Sequence, residues 1–169
     1  MNTFKDFYNR QRQRFFGYLI RRAGDYHLAC DIMQESFARL YEKYAAESYT
    51  PQLLYTIGRN LVLDALRKRR HNPSGMDDVE LPDDGQEHYL MVRDEYRQVL
   101  AAMRHLDDDE RDLLSLVVSS ELSYRELAEI TGLSEANVKV KIHRARKKLR
   151  AYLGTENNER PSHQPVHRR

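Results

Sequence analysis

Apolar positions recur along this chain at three- and four-residue steps, and nowhere do apolar and polar residues alternate as in a half-buried strand. The pattern predicts helices throughout. Phe4 to Arg22 is amphipathic, with Phe4, Phe7, Tyr8, Phe15, Tyr18 and Leu19 as the inner face and Arg10, Arg12, Arg14, Arg21 and Arg22 as a basic surface. Gly24-Asp25 marks a break, with Asp25 able to cap the next helix. Across Tyr26–Tyr44, Leu28, Ile32, Phe37, Leu40, Tyr41 and Tyr44 stay near one face, opposite Asp31, Gln34, Glu35, Ala38 and Glu42. Periodicity alone makes that second face a solvated one. Ala45–Gln52 is a short loop in which Thr50-Pro51 fits a cap followed by proline at the first helical position. From Pro51 to Arg70, Leu54, Ile57, Gly58, Leu61, Ala65 and Leu66 point inward, while Tyr55, Arg59, Asn60 and Asp64 face out. The helix ends in Arg67, Lys68, Arg69 and Arg70. Cations suit a helix C-terminus, but that does not account for Tyr55, Arg59 and Asn60, a mixture suited to stacking on bases and contacting phosphate.

His71 to Tyr89 reads as a linker: Asn72-Pro73-Ser74-Gly75 breaks the helix, and Asp77, Asp78, Glu80, Asp83, Asp84 and Glu87 follow without a lysine or arginine among them. Fully extended, its roughly 20 residues reach about 65 Å, close to two turns of duplex. A second helical unit comes after it. Val92–Arg104 and Asp109–Ser119, the latter capped by Asp107 or Asp108, have apolar sides that must cover the next segment, giving a four-helix domain to about Leu153. Gly154 is expected to close the last helix and 155–169 to be disordered. The expected architecture is all-α: two small helical domains, 1–71 and 92–154, joined by a flexible acidic linker over 72–91.

The chemistry is concentrated in Ser123–Leu149. Ser123 with Glu126 forms a capping box, Leu127, Ala128 and Ile130 line a short helix, Gly132 ends it, and Ser134 caps a second helix. Val138, Ile142, Ala145 and Leu149 form the buried stripe of that second helix. Off the stripe lie Lys139, Lys141, Arg144, Arg146, Lys147, Lys148 and Arg150, with no acid between them. This is a helix-turn-helix whose second helix fits the major groove, where basic side chains contact phosphates and guanine edges. A helical hairpin with a solvated basic face is the plainer alternative.

Composition narrows the field. Of 169 residues 40% are apolar and 32% charged, which suits modest helical cores, and the net charge of +2 makes local patches the useful signal. The single cysteine, Cys30, leaves no internal disulfide and is expected to be buried. No apolar run approaches a membrane span, and the N-terminal sequence has no apolar signal segment, so a cytoplasmic protein without membrane insertion is expected. The histidines are scattered, and no spacing suggests a metal, cofactor or small-molecule substrate.

ACDIMQESFARLYEK (Ala29–Lys43), LLYTIGRNLVLDALRKRR (Leu53–Arg70), the acidic linker and ELSYRELAEITGLSEANVKVKIHRARKKLR (Glu121–Arg150) together resemble the extracytoplasmic-function sigma factors, small bacterial initiation factors of the sigma-70 superfamily. The resemblance covers about residues 4–153. It implies a non-enzymatic factor that binds core RNA polymerase, directs it to promoters and helps open the duplex. Asp31, Gln34, Glu35 and Arg39 would meet the clamp helices of the polymerase's largest subunit, and the second-largest subunit's flap would be a further contact. Tyr49, Tyr55, Arg59, Asn60 and Arg67 would lie at the surface that opens and reads the minus-ten element, where a base is extruded from the non-template strand. Ser134, Asn137, Lys139, Val140, Lys141, His143, Arg144 and Lys147 would read the minus-thirty-five element, with Val140 suited to a thymine methyl. An anti-sigma factor is an expected partner. The chain departs from the family in its short Ala45–Gln52 loop, in Gln52-Leu53-Leu54 where a tryptophan is often found, and in Asp107-Asp108-Asp109 where a proline-containing turn is common.

Two other readings remain. A stand-alone helix-turn-helix regulator would use the first half for dimerisation, but it leaves the basic, aromatic-bearing helix and the acidic linker without a role. A recombinase or nuclease would need strand alternation, carboxylates clustered on a strand, His/Cys ligand spacing or a phosphate-binding glycine loop, and the sequence has none of these.

Overall fold

The computed structural model describes residues 3–71 and 97–159, all helices and short connections without a strand among them. The expected linker and residues 160–169 lie outside the described residues. Helix α1 (Phe4–Ala23) starts at a capping box: the Thr3 hydroxyl accepts from the Asp6 amide while the Asp6 carboxylate accepts from the Thr3 amide. It stops at Gly24, whose φ of 66° is open to glycine without Cβ strain. Asp25 caps α2 (Tyr26–Lys43) by accepting from the Leu28 amide at 2.9 Å. A single 3-10 turn, Ala46–Ser48, leads to Thr50, whose hydroxyl accepts from the Leu53 amide and starts α3 (Pro51–His71).

These three helices share an aromatic core. Phe15 is fully buried, with Tyr55 meeting it edge-on at 5.2 Å and Phe37 at 5.7 Å. The α1–α3 crossing requires Gly58, because a Cβ there would sit 2.4 Å from the Phe15 ring.

The second unit comprises residues 97–103 (α4), α5 (Asp108–Ser119), α6 (Tyr124–Thr131) and α7 (Glu135–Glu159). Glu110 accepts from the Asp107 amide, so the aspartate run begins α5 without proline. Leu114 packs with Met103, Leu106 and Ala145, while Leu113 and Leu116 join a core shared with α1–α3.

Several expectations change. The apolar side of α5 covers α1 as well as the helix-turn-helix, so the two units dock on each other. Arg22 of the expected basic surface is buried, because Asp112 supplies it with a countercharge. Tyr55 is buried rather than outward-facing, its ring held by Phe15 and Tyr18. Tyr41 and Tyr44 are instead 63% and 40% exposed, since α2 runs past the end of the core. Cys30 is half-buried. Helix α7 passes through Gly154 to Glu159 rather than closing there, and residues 155–159 are helical. A glycine within a helix costs only about 1 kcal/mol relative to alanine, which neighbouring turns can absorb.

Candidate nucleic-acid interface

The helix-turn-helix forms as its local chemistry dictates. The Ser123 hydroxyl accepts from the Glu126 amide at 3.2 Å, and the Glu126 carboxylate accepts from the Ser123 amide at 2.7 Å. Gly132 takes φ 72°, and the Ser134 hydroxyl accepts from the Asn137 amide at 3.2 Å. Val138, Ile142 and Ala145 are buried, so Ser134, Asn137, Lys139, Val140, His143, Arg144 and Lys147 are left exposed along α7. Val140 is 46% exposed among cations. Lys141 is half-buried and reaches Asp109 at 3.1 Å, Lys139 reaches Glu135 at 3.6 Å, and Lys148 pairs with Glu110 at 2.8 Å and Asp107 at 3.6 Å. The hydrogen bond from Lys148 to Glu110 raises the Lys148 ammonium above its ordinary value. Arg144 and Lys147 form no ion pair among the described residues.

On α3 the expected minus-ten group divides. Asn60 and Arg67 are exposed, Arg67 pairing with Asp64 at 3.3 Å, and Tyr49 is half-buried against Phe4 and Phe7. Tyr55 instead sends its hydroxyl across to donate to the Ser119 carbonyl at 3.1 Å. Burial raises its phenol beyond the ordinary range. Arg59, 17% exposed, donates Nε–H to Asp112 at 2.5 Å and Nη1–H to the Ile130 carbonyl at 3.4 Å. Both groups are thus tied to the second unit.

Asp112 is the residue that sequence reasoning missed. It is buried, lies 3.4 Å from Arg22 Nε, and accepts from the Tyr18 hydroxyl at 3.0 Å. Burial, then the Asp112 charge, raises the Tyr18 phenol well above its ordinary value. The available signal was an acid four residues before Leu116, in line with the inward side of α5.

The third group is simpler. Asp31, Gln34 and Glu35 project from the outer face of α2, with Arg39 half-buried beside them and bonded to Glu35 at 2.6 Å. Three surfaces result: an exposed basic recognition helix, a partly covered α3 face and an acidic-to-mixed α2 face. Among the described residues no cluster of histidine, cysteine and carboxylates could hold a metal, and no helix is long and apolar enough to cross a membrane.

An all-helical chain carrying a solvent-facing basic recognition helix belongs to the helix-turn-helix class of DNA-binding proteins. Comparison with known sequences narrows this further. The family model "Sigma-70 region 2" matches residues 7–72, and "Sigma-70, region 4" matches residues 96–149. The chain is 31% identical over 162 residues to the ECF RNA polymerase sigma factor SigM of Bacillus subtilis (strain 168), covering 88% of this chain and 94% of SigM. It is 32% identical over 149 residues to the ECF RNA polymerase sigma factor EcfG of Rhodopseudomonas palustris (strain TIE-1), covering 84% and 80%. Its fold resembles the sigma factor RpoE solved in complex with the anti-sigma factor NepR from Bartonella quintana, with TM-score 0.73 and 20% identity over 92% of this chain and 99% of that one. The chain belongs to the extracytoplasmic-function RNA polymerase sigma factors of the sigma-70 family.

Proposed function

We propose that the three surfaces divide the work of transcription initiation. As a member of its family the chain is an initiation factor that brings core RNA polymerase to promoters, and RNA synthesis itself is the polymerase's chemistry. Asp31, Gln34, Glu35 and Arg39 on α2 bind the clamp helices of the largest polymerase subunit, and the second unit meets the flap of the second-largest. Asn60, Arg67 and Tyr49, with Arg59 once it is free, contact the minus-ten element. Tyr55 positions α3 from within the core. Ser134, Asn137, Lys139, Val140, Lys141, His143, Arg144 and Lys147 read the minus-thirty-five element from the major groove. The domain boundaries follow this division: 1–71 for polymerase and minus-ten, 72–91 as linker, 92–154 for minus-thirty-five. The chain acts in the cytoplasm, where an anti-sigma factor is the expected regulator.

One observation carries the reading: both sigma-70 regions occur in order on one chain, and the second presents a basic helix to solvent. The test is to mix the purified chain with bacterial core RNA polymerase, measure co-elution, and assay run-off transcription on sheared genomic DNA. Co-elution with discrete new transcripts is the expected result. Tight DNA binding at physiological salt without any affinity for core polymerase would instead support a stand-alone regulator.

A further inference from the structure

The recognition helix is tied back to α5 along one side. Lys141 and Lys148 stand about two turns apart on α7, so they share a flank beside the buried stripe of Val138, Ile142 and Ala145. Val140, His143 and Lys147 fall on the far side of the helix and are exposed. On the tied flank Lys141 reaches Asp109 at 3.1 Å, and the Lys148 ammonium donates to both Glu110 carboxylate oxygens, at 3.0 and 2.8 Å. Asp107 adds a further contact to Lys148 at 3.6 Å.

Glu110 sets this apart from a surface ion pair, which contributes little. It is only 3% exposed, and its carboxylate also accepts from the Asp107 amide at 3.2 Å. A proline at that place would have no amide hydrogen to give. The carboxylate is therefore fixed by the first turn of α5 and met from the other side by α7. A buried charge is costly unless its partner stays in place. Turning α7 about its own axis, or tilting it away from α5, would leave Glu110 without Lys148. Recognition geometry must be held to within about 0.5 Å and about 10–20°, so the seating of α7 on α5 bears directly on which bases are read.

We propose that Glu110 is a positioning residue for promoter recognition: through Lys148 it fixes the rotation of α7, and so which side chains face the groove. Lys148 then serves as the far end of this clamp and not as a phosphate contact, while Val140, His143, Arg144 and Lys147 are presented to DNA. The proposal rests on the minus-thirty-five reading for its consequence, but not for the clamp itself.

The test uses the full chain with Glu110→Gln, with Lys148→Met, with both together, and with Lys148→Arg. Each is assembled with core polymerase and titrated with a promoter fragment recovered from run-off transcription, and with the same fragment carrying a scrambled minus-thirty-five element. The ratio of the two affinities should fall at least about fivefold in each of the first two variants, the worth of one weak base contact. The double variant leaves no buried charge unpaired. It should lose as much of the ratio as the worse single variant and no more, while melting close to the wild type by circular dichroism. Affinity for the scrambled fragment should change by less than about twofold, since no phosphate contact is removed. Lys148→Arg, which keeps the charge, should keep most of the ratio. Amine labelling read by mass spectrometry should modify Lys148 more slowly than its exposed neighbour Lys147, and Glu110→Gln should remove that difference.

A double variant with an undiminished ratio would show that the pair only balances charge, and would overturn the proposal. So would equal losses on both fragments with Lys148→Met, the mark of a phosphate contact, or equal labelling of the two lysines in the wild type. If a single variant fails to fold, the double variant and the labelling decide. A wild-type holoenzyme that does not distinguish the two fragments would instead refute the minus-thirty-five reading and leave the clamp to be judged by labelling.

Discussion

The crossing of α1 and α3 rests on one missing methyl group, which gives a sharp test of the core. In Gly58→Ala the new Cβ would lie 2.4 Å from Phe15 Cζ and 2.7 Å from Cε2, with Ser36 Oγ at 3.4 Å. Real carbon contacts do not come that close, so something must move. The Phe15 ring has little room to do so: it is fully buried, and Phe37 and Tyr55 both stand edge-on to it. Overpacking costs about 1–3 kcal/mol, and so close an approach to a pinned ring falls in the upper part of that range, about 2–3 kcal/mol, while alanine regains about 1 kcal/mol of helix propensity over glycine. The net expectation is a loss of about 1–2 kcal/mol. For a chain of this size that lowers the melting temperature by roughly 2–8 °C. Gly154→Ala is the matched control, also within a helix but with nothing within 4 Å of its new Cβ. It should leave the melting temperature unchanged or raise it slightly. Thermal melts followed by circular dichroism read both variants. A Gly58→Ala protein as stable as the wild type would refute the claim that the helices cross in direct contact there.

Three further outcomes are expected. Burial raises the Tyr18 and Tyr55 phenols above the ordinary 10.0, so the folded chain keeps their protons after the unfolded chain has lost them. The corresponding stability is complete below pH 10 and is lost as pH rises from there through the raised values; melts across pH 9–11 should show a decline that Tyr18→Phe with Tyr55→Phe flattens, and an unchanged decline would contradict it. Replacing Arg144 with alanine should cost promoter binding about 1–3 kcal/mol and leave core-polymerase affinity intact. Lys141→Ala should cost less, because that lysine already shares its charge with Asp109, and gel-shift titrations with holoenzyme would detect a reversal of that order. Asp31→Ala with Glu35→Ala should weaken core-polymerase binding by more than about 1 kcal/mol in a fluorescence titration, whereas full affinity would return that face to plain solvent.

Local chemistry was legible in the sequence wherever neighbours in the chain decide it. Asp25, Thr50, Ser123 and Ser134 cap the helices the sequence assigns to them, and Gly24 and Gly132 end theirs with positive φ. The buried stripe of Val138, Ile142 and Ala145 is a direct result of spacing. What spacing could not reveal is the other side of a helix that has two neighbours. The apolar side of α5 has a further partner in the first unit, and that contact pairs Arg22 and Arg59 with Asp112 and gives the Tyr55 hydroxyl the Ser119 carbonyl. Periodicity places a residue on a face; it does not say which faces meet. The end of α7 shows the reverse limit: Gly154 can stop a helix, yet α7 runs through it to Glu159.

The acids at the starts of α5 and α7 have a consequence for how the recognition helix senses its ionic surroundings. Lys139, Lys141 and Lys148 each arrive with a carboxylate, from Glu135, Asp109, or Asp107 and Glu110. A cation that carries its own carboxylate displaces fewer small ions from the DNA atmosphere than a bare one. If all seven basic residues from Lys139 to Arg150 acted alone, the logarithmic salt slope would approach about −6.3. With three of them internally matched, it falls to about −3.6 at most. The protein thereby softens its own response to ionic strength, so contact between α7 and DNA should persist through osmotic upshifts that would strip a helix of equal but unmatched charge.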